Sequence, residues 1–290
     1  MKCQLCPRKC NVDRIDNSNV GVCGVTNTIR IARADLHYFE EPCISGERGS
    51  GTIFFSGCPL KCIFCQNKEI SLGLNGNDIS VEKIKTIIKD LINKGAHNIN
   101  FVTPTHYANE ISKISDEKIS VPVVYNCAGY EEQDTLKMLK GKVDVYLPDL
   151  KYSDDNLALK YSKVPNYFKT AQKAILEMYN QVGDYILDED GIMQKGVIIR
   201  HLMLPENLEN TYGVIEWVAD NFKNKNVKFS LMSQYTPLEE YPYSELNHRV
   251  SREEYEKAVD YMYLCGISDG YTQEPTSADE IYIPDFNQKI

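Results

Sequence analysis

The sequence lacks two features that mark large classes of protein: long apolar runs and an excess of positive charge. A membrane-spanning helix needs roughly 20 apolar residues, whereas the longest apolar segment, GVIIRHLML at 196–204, carries Arg200 in its middle. Acidic residues outnumber basic ones by 41 to 32, which gives a formal net charge of -9. Proteins that bind a phosphate backbone concentrate Lys and Arg on one face. We therefore expect neither a membrane nor a nucleic acid as a partner.

Signals of export and of repeated architecture are also missing. The chain begins MKCQLC, without a basic segment followed by an apolar run, and it shows no internal repeat or low-complexity tract. We expect its ten cysteines to stay reduced, as they do in a cytoplasmic protein. A chain of this length can bury about 75% of its unfolded surface, so a large core does not require disulfides.

Three cysteines are present together in GCPLKCIFCQN: Cys58, Cys62 and Cys65. The motif offers no fourth cysteine. Structural zinc sites and electron-carrying iron-sulfur clusters usually have four protein ligands, whereas a reactive metal keeps one position open. The spacing therefore indicates chemistry at iron. A zinc site that takes one ligand from elsewhere is the alternative.

The motif resembles the signature of the radical S-adenosylmethionine (radical SAM) enzymes, and Phe64 stands where that family has an aromatic residue. The resemblance implies that the three cysteines hold three irons of a [4Fe-4S] cluster and that SAM binds the fourth. It further implies that SAM is cleaved reductively to methionine and a 5′-deoxyadenosyl radical, which abstracts hydrogen from a substrate. An electron donor such as a flavodoxin or ferredoxin is the implied partner.

Strand and helix patterns alternate from residue 51 onward. The glycine-bounded run GTIFFSG at 51–57 predicts a buried strand that ends at the cysteine loop, and Ser80 and Gly95 bound an amphipathic helix. Further segments predict strands at NINFVT, VPVVYNC, VDVYLPD, GVIIRHLML and VKFSLMS, and helices near 107–115, 131–140, 166–180, 208–222 and 251–264. This order predicts right-handed crossovers and a parallel sheet buried on both faces.

Six strand–helix units predict an α/β fold with a partial barrel, because a full eight-stranded barrel takes about 250 residues. The radical SAM fold is a partial (β/α)6 barrel, so the resemblance implies the same architecture. We expect a cysteine-rich metal-binding extension over residues 1–50 and the partial barrel over residues 51–290. An Asp-Gly turn within residues 184–195 predicts a hairpin or a loop insertion.

Polar residues at the predicted strand ends are candidates for ligand binding. Asp149 and Lys151 share one side of an extended chain. Arg200 shares a face with apolar residues, where an unpaired guanidinium is costly, so we expect it to have a carboxylate partner. Asn126 ends another strand, and Gln234 continues a partly polar face of the last one. Structural ion pairs or a solvated polar lining are the alternatives.

Short segments extend the resemblance to the pyruvate formate-lyase activating enzymes. The DLK at 149–151 resembles their strand-end motif that shapes the SAM site, and Arg200 resembles an arginine that helps to bind SAM. Asn126 stands in YNCAGY where those enzymes have a TNG-like segment, although the NCAG sequence differs from it.

One motif of many radical SAM enzymes, the Gly-Gly-Glu that contacts the SAM amine, is replaced here by FVTPTHY. We expect Thr103 and Thr105, together with backbone carbonyls, to make this contact through their oxygens. His106 in the same segment is either a proton carrier or a structural hydrogen-bonding residue.

The N-terminal segments CQLCPRKC and GVCG contain a second set of cysteines: Cys3, Cys6, Cys10 and Cys23. Four thiolates would close a tetrahedral shell around zinc or hold a second [4Fe-4S] cluster, and unliganded thiols are the alternative. This extension resembles that of a subgroup of activating-enzyme-like radical SAM proteins, as do EEPCISG, SGTIFFSGC, LPDLKY and MSQYTP.

The resemblance implies that the chain activates a glycyl-radical enzyme. Another peptide or a small molecule as the substrate is a second hypothesis. A third is a non-catalytic electron carrier, in which Cys43 or Cys127 closes the first cluster. Both of these cysteines, and Cys265, are otherwise interpreted as small buried apolar residues.

Overall fold

A computed structural model describes residues 2–17, 19–273 and 286. Within these residues, ten strands form one sheet. In chain order they are β1 (Ile29–His37), β2 (Ser50–Phe55), β3 (Asn77–Ile79), β4 (Ile99–Val102), β5 (Val123–Cys127), β6 (Val145–Pro148), β7 (Ile186–Leu187), β8 (Met193–Leu202), β9 (Lys228–Met232) and β10 (Gly270–Thr272).

Helices connect most of the neighbouring parallel strands. They are α1 (Pro42–Ser45), α2 (Lys68–Ser71), α3 (Val81–Asn93), α4 (Ala108–Ile114), α5 (Gln133–Met138), α6 (Asp155–Ser162), α7 (Tyr167–Val182), α8 (Leu208–Phe222) and α9 (Arg252–Leu264). Predicted caps are present: the Ser80 hydroxyl accepts from the Lys83 amide at the start of α3, and Gly95 follows its end at φ +93°. None of the helices in the described part of the chain is long and apolar enough to span a bilayer.

The sheet has the parallel order that the alternating pattern predicts. Neighbouring strands run β2, β4, β5, β6, β8, β9 and β10, and each pair is parallel. The six predicted strands are all present in this set. β2, β4, β5 and β6 are buried along their whole length, which is typical of a parallel sheet covered on both faces. The α/β partial-barrel prediction is therefore confirmed.

Several elements were not predicted. β1 and β3 extend the sheet on the β2 side as antiparallel strands, and β10 extends it on the other side. The short helix α6 was also missed. Its start is capped by the Asp154 side chain, which accepts from the Asn156 amide. The hairpin predicted at 184–195 is confirmed, because β7 pairs antiparallel with β8.

The alternation of side chains along the strands separates two packed layers. Tyr146 faces the large core beneath the helices, whereas Val145 and Leu147 on the same strand pack with Cys43 and Ile44 from α1. α1 and the turn before it thus cover the inner face of the sheet. This arrangement brings the segment after β1 beneath the strand ends that carry the polar residues.

Candidate active site

A cavity of about 480 Å³ lies where the parallel strands end. Its lining includes most of the candidates predicted from sequence: Cys58, Cys62, Cys65, Thr103, Asn126, Asp149, Lys151, Arg200 and Gln234. These residues come from the ends of six different strands and from the loops that follow them. The parallel topology has therefore assembled them, as expected for an α/β barrel.

The cysteine loop is fixed in place at both of its ends. Gly57 follows β2 at φ +85°, and a Cβ there would lie 2.7 Å from the Cys23 carbonyl oxygen, so this position requires glycine. Further on, the amide of Ile63 donates to the Tyr161 carbonyl at 2.9 Å. Tyr161 belongs to α6, so the helix that the sequence did not reveal holds the loop against the barrel.

Cys62 is buried and the other two cysteines of the loop are half-buried, and two of the three sulfurs accept hydrogen bonds from serines. The Ser162 hydroxyl lies 2.9 Å from the Cys62 sulfur, and the Ser71 hydroxyl lies 3.3 Å from the Cys65 sulfur. Burial raises the pKa of Cys62 to about 11, and it also raises the pKa of Cys58 above its ordinary value. These two thiols keep their protons at neutral pH until a metal displaces them.

The three thiols fit a cluster better than a single ion. Among the described residues, no three Cys, His, Asp or Glu side chains are arranged to hold one metal ion. A zinc ion needs its thiolates about 2.3 Å from one point, whereas each thiolate of a four-iron cluster binds a different iron. Three thiols that share one cavity wall without converging on a point suit the second case.

An aromatic wall adjoins the cysteine loop. Phe64 is buried and makes edge contacts with Tyr161 and Tyr235, with ring centroids 6.3 and 6.0 Å apart. Phe64 also lines the cavity between Cys62 and Cys65, so this packing limits the water beside the cysteine loop. The dryness around a metal site is one of the features that set its redox potential.

A chain of ion pairs extends from the cysteine side across the cavity. The Lys151 ammonium lies 2.6 Å from Asp149 Oδ2, and Asp149 Oδ1 lies 2.8 Å from Arg200 Nε. Burial alone would raise the pKa of Asp149, but the charges of Arg200 and Lys151 hold it below its ordinary value. Asp149 and Lys151 thus form the ion pair that was the alternative to a ligand-binding role, and the expected carboxylate partner of Arg200 is confirmed.

Two further carboxylates in the cavity were not predicted as site residues. Glu40 Oε2 lies 2.8 Å from Arg200 Nη1, and its other oxygen accepts from Asn100 and Asn126. Glu41 follows and is buried beside it. An inward-facing arginine indicated that a carboxylate was needed, but no local pattern in EEPCISG marked these residues as its partners.

Comparison with known proteins places the chain in a family. The model of the radical SAM superfamily matches residues 52–218. The chain belongs to the radical SAM superfamily. A relative from Methanocaldococcus jannaschii, uncharacterized protein MJ0674, is 33% identical over 271 residues, which cover 89% of this chain and 73% of the relative.

Solved structures of radical SAM proteins share the fold at low sequence identity. Streptococcus suis SuiB bound to S-adenosylmethionine has a TM-score of 0.51 and 17% identity over 75% of this chain. The FeFe-hydrogenase maturase HydG from Carboxydothermus hydrogenoformans has a TM-score of 0.50 and 15% identity over 78% of this chain. The matches cover 48% and 54% of those two chains, so this chain spans about half their length. At these identities the likeness shows the fold alone.

Membership of the radical SAM family implies a [4Fe-4S] cluster and SAM as cofactors. Cys58, Cys62 and Cys65 would hold the cluster. Asn126 accepts from Arg200 Nη2 at 2.7 Å and donates to Glu40 at 3.1 Å, so its amide belongs to the ion-pair network. Gln234 accepts from the Gln273 amide at 3.1 Å and stays at the rim of the same radical SAM cavity.

The two threonines of FVTPTHY, the segment in place of Gly-Gly-Glu, lie in different environments. Thr103 lines the cavity and has a left-handed backbone at φ +57°, which is uncommon for a residue other than glycine. Thr105 does not line it, contrary to the prediction. A 3-10 turn at Thr105–Tyr107 directs its hydroxyl to Glu131, which accepts at 2.7 Å. Within this radical SAM site, Thr103 alone of the two threonines can reach a ligand.

His106 also lies outside the cavity lining. Its Nε2 lies 2.8 Å from the Ser56 carbonyl, and the buried ring carries no hydrogen-bond partner at Nδ1 within the described residues. Burial lowers the pKa of His106 to about 3, so the ring is neutral. His106 therefore acts as a structural residue that ties the end of β4 to the end of β2.

The N-terminal cysteines pack against the radical SAM core. Cys6 and Cys23 are buried, and Cys10 accepts from the Val22 amide at 3.4 Å. Arg8 lies between Cys6 and Cys10 in the chain, and its Nε donates to the Pro59 carbonyl of the cysteine loop at 2.9 Å. This segment therefore supports the loop directly. Within the described part of the chain, no three of its thiols are arranged to hold one metal ion, and its binding of zinc or of a second cluster stays a prediction.

Proposed function

We propose that this protein is a radical SAM enzyme that reductively cleaves SAM and directs the resulting radical to a hydrogen atom of an amino-acid residue or small molecule bound in the cavity. The observation that carries the proposal is the common cavity. Three loop cysteines, without a fourth in the loop, line the same 480 Å³ space as a buried set of ion pairs. A bound cluster would supply the electron that breaks a carbon–sulfur bond of SAM.

The protein's own groups position and shield the reactants. Lys151 and Arg200 both line the cavity, and the Lys151 ammonium, whose ion-pair partner is Asp149, would attract a carboxylate such as that of SAM. Their partner Asp149 holds both side chains in fixed orientations. Phe64 and its aromatic neighbours keep water from the thiol loop. Positioning and exclusion of water are what a cofactor enzyme adds to its cofactor.

The experiment is 5′-deoxyadenosine formation by anaerobically reconstituted protein that is given SAM and dithionite. We expect product from the parent and none from Cys62→Ala, because one of three ligands is lost. Cys265→Ala is the matched control and should behave as the parent, since Cys265 lies outside the cavity lining. A loaded, reducible cluster that yields no product in the parent would refute the proposal.

An electron carrier is the second candidate, because Cys127 lines the same cavity as the loop cysteines. Burial raises the pKa of Cys127 well above its ordinary value, as expected for a thiol that stays protonated when no metal is bound. If Cys127 is the fourth ligand, Cys127→Ala will lose the cluster and SAM will not alter the cluster's spectrum. We expect instead that Cys127→Ala keeps its cluster and that SAM perturbs the spectrum of the reduced form.

For the substrate, we propose a backbone glycine of a glycyl-radical enzyme, with a flavodoxin or ferredoxin as electron donor. The support is the resemblance of the DLK at 149–151 and of Arg200 to the activating enzymes. Incubation of the reduced, SAM-loaded protein with a glycyl-radical enzyme should produce a protein-bound radical visible by EPR. Continued 5′-deoxyadenosine formation without that radical would favour another peptide or a small molecule.

A further inference from the structure

The cavity is lined by more acidic residues than basic ones. Three of them are carboxylates, Glu40, Glu41 and Asp149, and they face two cations, Lys151 and Arg200. Asp149 and Glu40 are each paired with Arg200 at 2.8 Å, and Asp149 is also paired with Lys151. Both cations are thus engaged by these two carboxylates. Glu41 is the carboxyl group in excess, and burial raises its pKa above its ordinary value. Burial therefore favours its protonated form, and a bound cation would favour the ionised form.

One oxygen of Glu41 lacks a hydrogen-bond partner in the described part of the chain, although the Ser230 side chain interacts with the carboxyl group. Its exposed fraction is 8%, and among the described residues Oε2 has no hydrogen-bond partner. The guanidinium of Arg200 lies 3.9 Å from this atom, outside hydrogen-bond distance. By contrast, both oxygens of Glu40 are bonded. A buried carboxylate oxygen that faces a cavity without a donor is costly, so a ligand with a donor would stabilise it.

The two glutamates approach the cavity from the end opposite to the cysteines. β1 and β2 are antiparallel, and His37 at the end of β1 lies beside Ser50 at the start of β2. The cysteine loop follows the other end of β2, five residues and roughly 17 Å along the strand. SAM held by its sulfonium near the cluster would lie on the cysteine side. We therefore assign the free oxygen of Glu41 to the part of the cavity left for the substrate.

Aromatic rings stand beside this end of the cavity. Phe39 and Phe54 both line it, and His37 makes edge contacts with them at 5.6 and 5.9 Å. Burial lowers the pKa of His37 to about 4, so its ring is neutral and does not compete for the carboxylates. Neutral aromatic faces next to an excess carboxylate favour an organic cation, because the ring faces add cation–π attraction.

We propose that Glu41, with Glu40 beside it, binds a cationic group of the substrate, either an ammonium or a guanidinium. The group belongs to a small amine or to a lysine or arginine side chain of a peptide. A pocket that holds one drug-sized ligand has a volume of about 300–1,000 Å³. SAM is a ligand of that size, so the rest of this cavity suits a single side chain or small amine. The proposal rests on the proposed radical chemistry and takes its alternative substrate, another peptide or a small molecule, because a backbone glycine carries no cationic group.

The test is calorimetric titration of anaerobically reconstituted protein saturated with SAM. The probes are cadaverine and agmatine as cations, 1-pentanol as the neutral analogue and pentanoate as the anionic analogue. We expect the cations to bind at least tenfold more tightly than the other two. Capped pentaglycine with lysine or norleucine at its centre forms the peptide arm, and a preference for the lysine peptide over cadaverine would assign the cation to a peptide.

Variants locate the binding group. Glu41→Gln should weaken cation binding at least tenfold, and Glu41→Asp, which keeps the charge, should weaken it less. Glu47→Gln is the matched control, because Glu47 is exposed in the same segment and does not line the cavity. SAM affinity should be unchanged in all three variants. Thermal melting of each variant verifies that it is folded.

Three results would overturn the proposal. Equal binding of cadaverine and 1-pentanol by the parent would show no preference for charge, and this arm needs no variant. Unchanged cation binding in folded Glu41→Gln would make Glu41 a structural carboxylic acid. Weaker SAM binding in that variant would assign Glu41 to the SAM ammonium. Since binding is measured without reductant, absence of 5′-deoxyadenosine in a parallel assay would refute the radical chemistry separately.

Discussion

The hydroxyl of Ser162 lies 2.9 Å from the sulfur of Cys62, although the two residues are separated by 100 positions in the chain. The Tyr152 hydroxyl lies 2.6 Å from the same oxygen, and when it donates to that oxygen the serine proton points at the sulfur. A hydrogen bond to a cluster thiolate withdraws electron density from it and stabilises the reduced, more negative cluster. The end of α6 holds the cysteine loop and would also tune the potential of a cluster bound there.

Replacing Ser162 with alanine removes this donor and should make the midpoint potential of the cluster more negative. A shift on the order of 59 mV would correspond to a tenfold change in the one-electron equilibrium. The measurement is an EPR-monitored redox titration of the reconstituted protein. Ser115→Ala is the control, since the Ser115 hydroxyl has no hydrogen-bond partner within the described residues. An unchanged or more positive potential in Ser162→Ala would contradict the assignment.

Arg200 joins the carboxylates of two distant segments, and we expect its loss to destabilise the fold. In Arg200→Met, Asp149 and Glu40 would be left buried without their shared cation. Removal of one partner from a buried ion pair costs roughly 3–5 kcal/mol. Urea unfolding at neutral pH, in the absence of cofactors, measures the free energy of unfolding.

The control for Arg200 is Lys257→Met, which breaks an exposed helical pair with Glu253 at 2.7 Å. Exposed pairs contribute less than about 1 kcal/mol. If both variants lose the same small amount of stability, the network around Arg200 is solvated and does not hold the two segments together.

Sequence reasoning succeeded where one topological rule decides the outcome. Because parallel strands bring their carboxyl ends together, the side chains of Asp149, Lys151 and Arg200 could be assigned to one site before any contact was known. The alternating pattern also gave six strands of the sheet, since their apolar runs are nearly continuous. These features depend on local periodicity and on a rule that holds across folds.

The rest depends on contacts between distant segments. Glu40 meets Arg200 across 160 positions, and the turn that brings it there is fixed by α1 packing under the sheet. Thr105 lies outside the site because a single 3-10 turn after Pro104 directs its hydroxyl toward Glu131. α6 is short and its buried residues do not form a long repeating stripe. No window of a single sequence contains this information.

The N-terminal cysteines should bind metal independently of the loop cysteines. We expect Cys10→Ala to lose iron or zinc from the N-terminal set while it keeps a cluster that responds to SAM, and Cys62→Ala to show the reverse. Elemental analysis of reconstituted protein for iron and zinc, with Cys265→Ala as control, measures both. Metal content in Cys10→Ala equal to that of the parent would show that the four thiols are unliganded.

Glu131 should make the fold less stable as the pH rises. It is buried at 2% exposure and accepts from Thr105 and Tyr125. Burial raises its pKa from an ordinary 4.5 to about 7. The folded chain therefore holds a proton that the unfolded chain has lost between these two values, so the stability it contributes is complete below 4.5 and is lost as the pH rises to 7.

The variant Glu131→Gln removes this titration while it keeps the shape of the side chain and one acceptor oxygen. At 1.36 kcal/mol for each pKa unit, we expect the parent to lose roughly 3 kcal/mol more stability than the variant between pH 4.5 and 7.5. Urea unfolding of the cofactor-free chain across this range measures the difference, and Glu189→Gln, an exposed site, should follow the parent. Parallel pH curves for the parent and Glu131→Gln would mean that Glu131 is ionised in the folded chain at all these pH values, and that its burial is compensated by the donors around it.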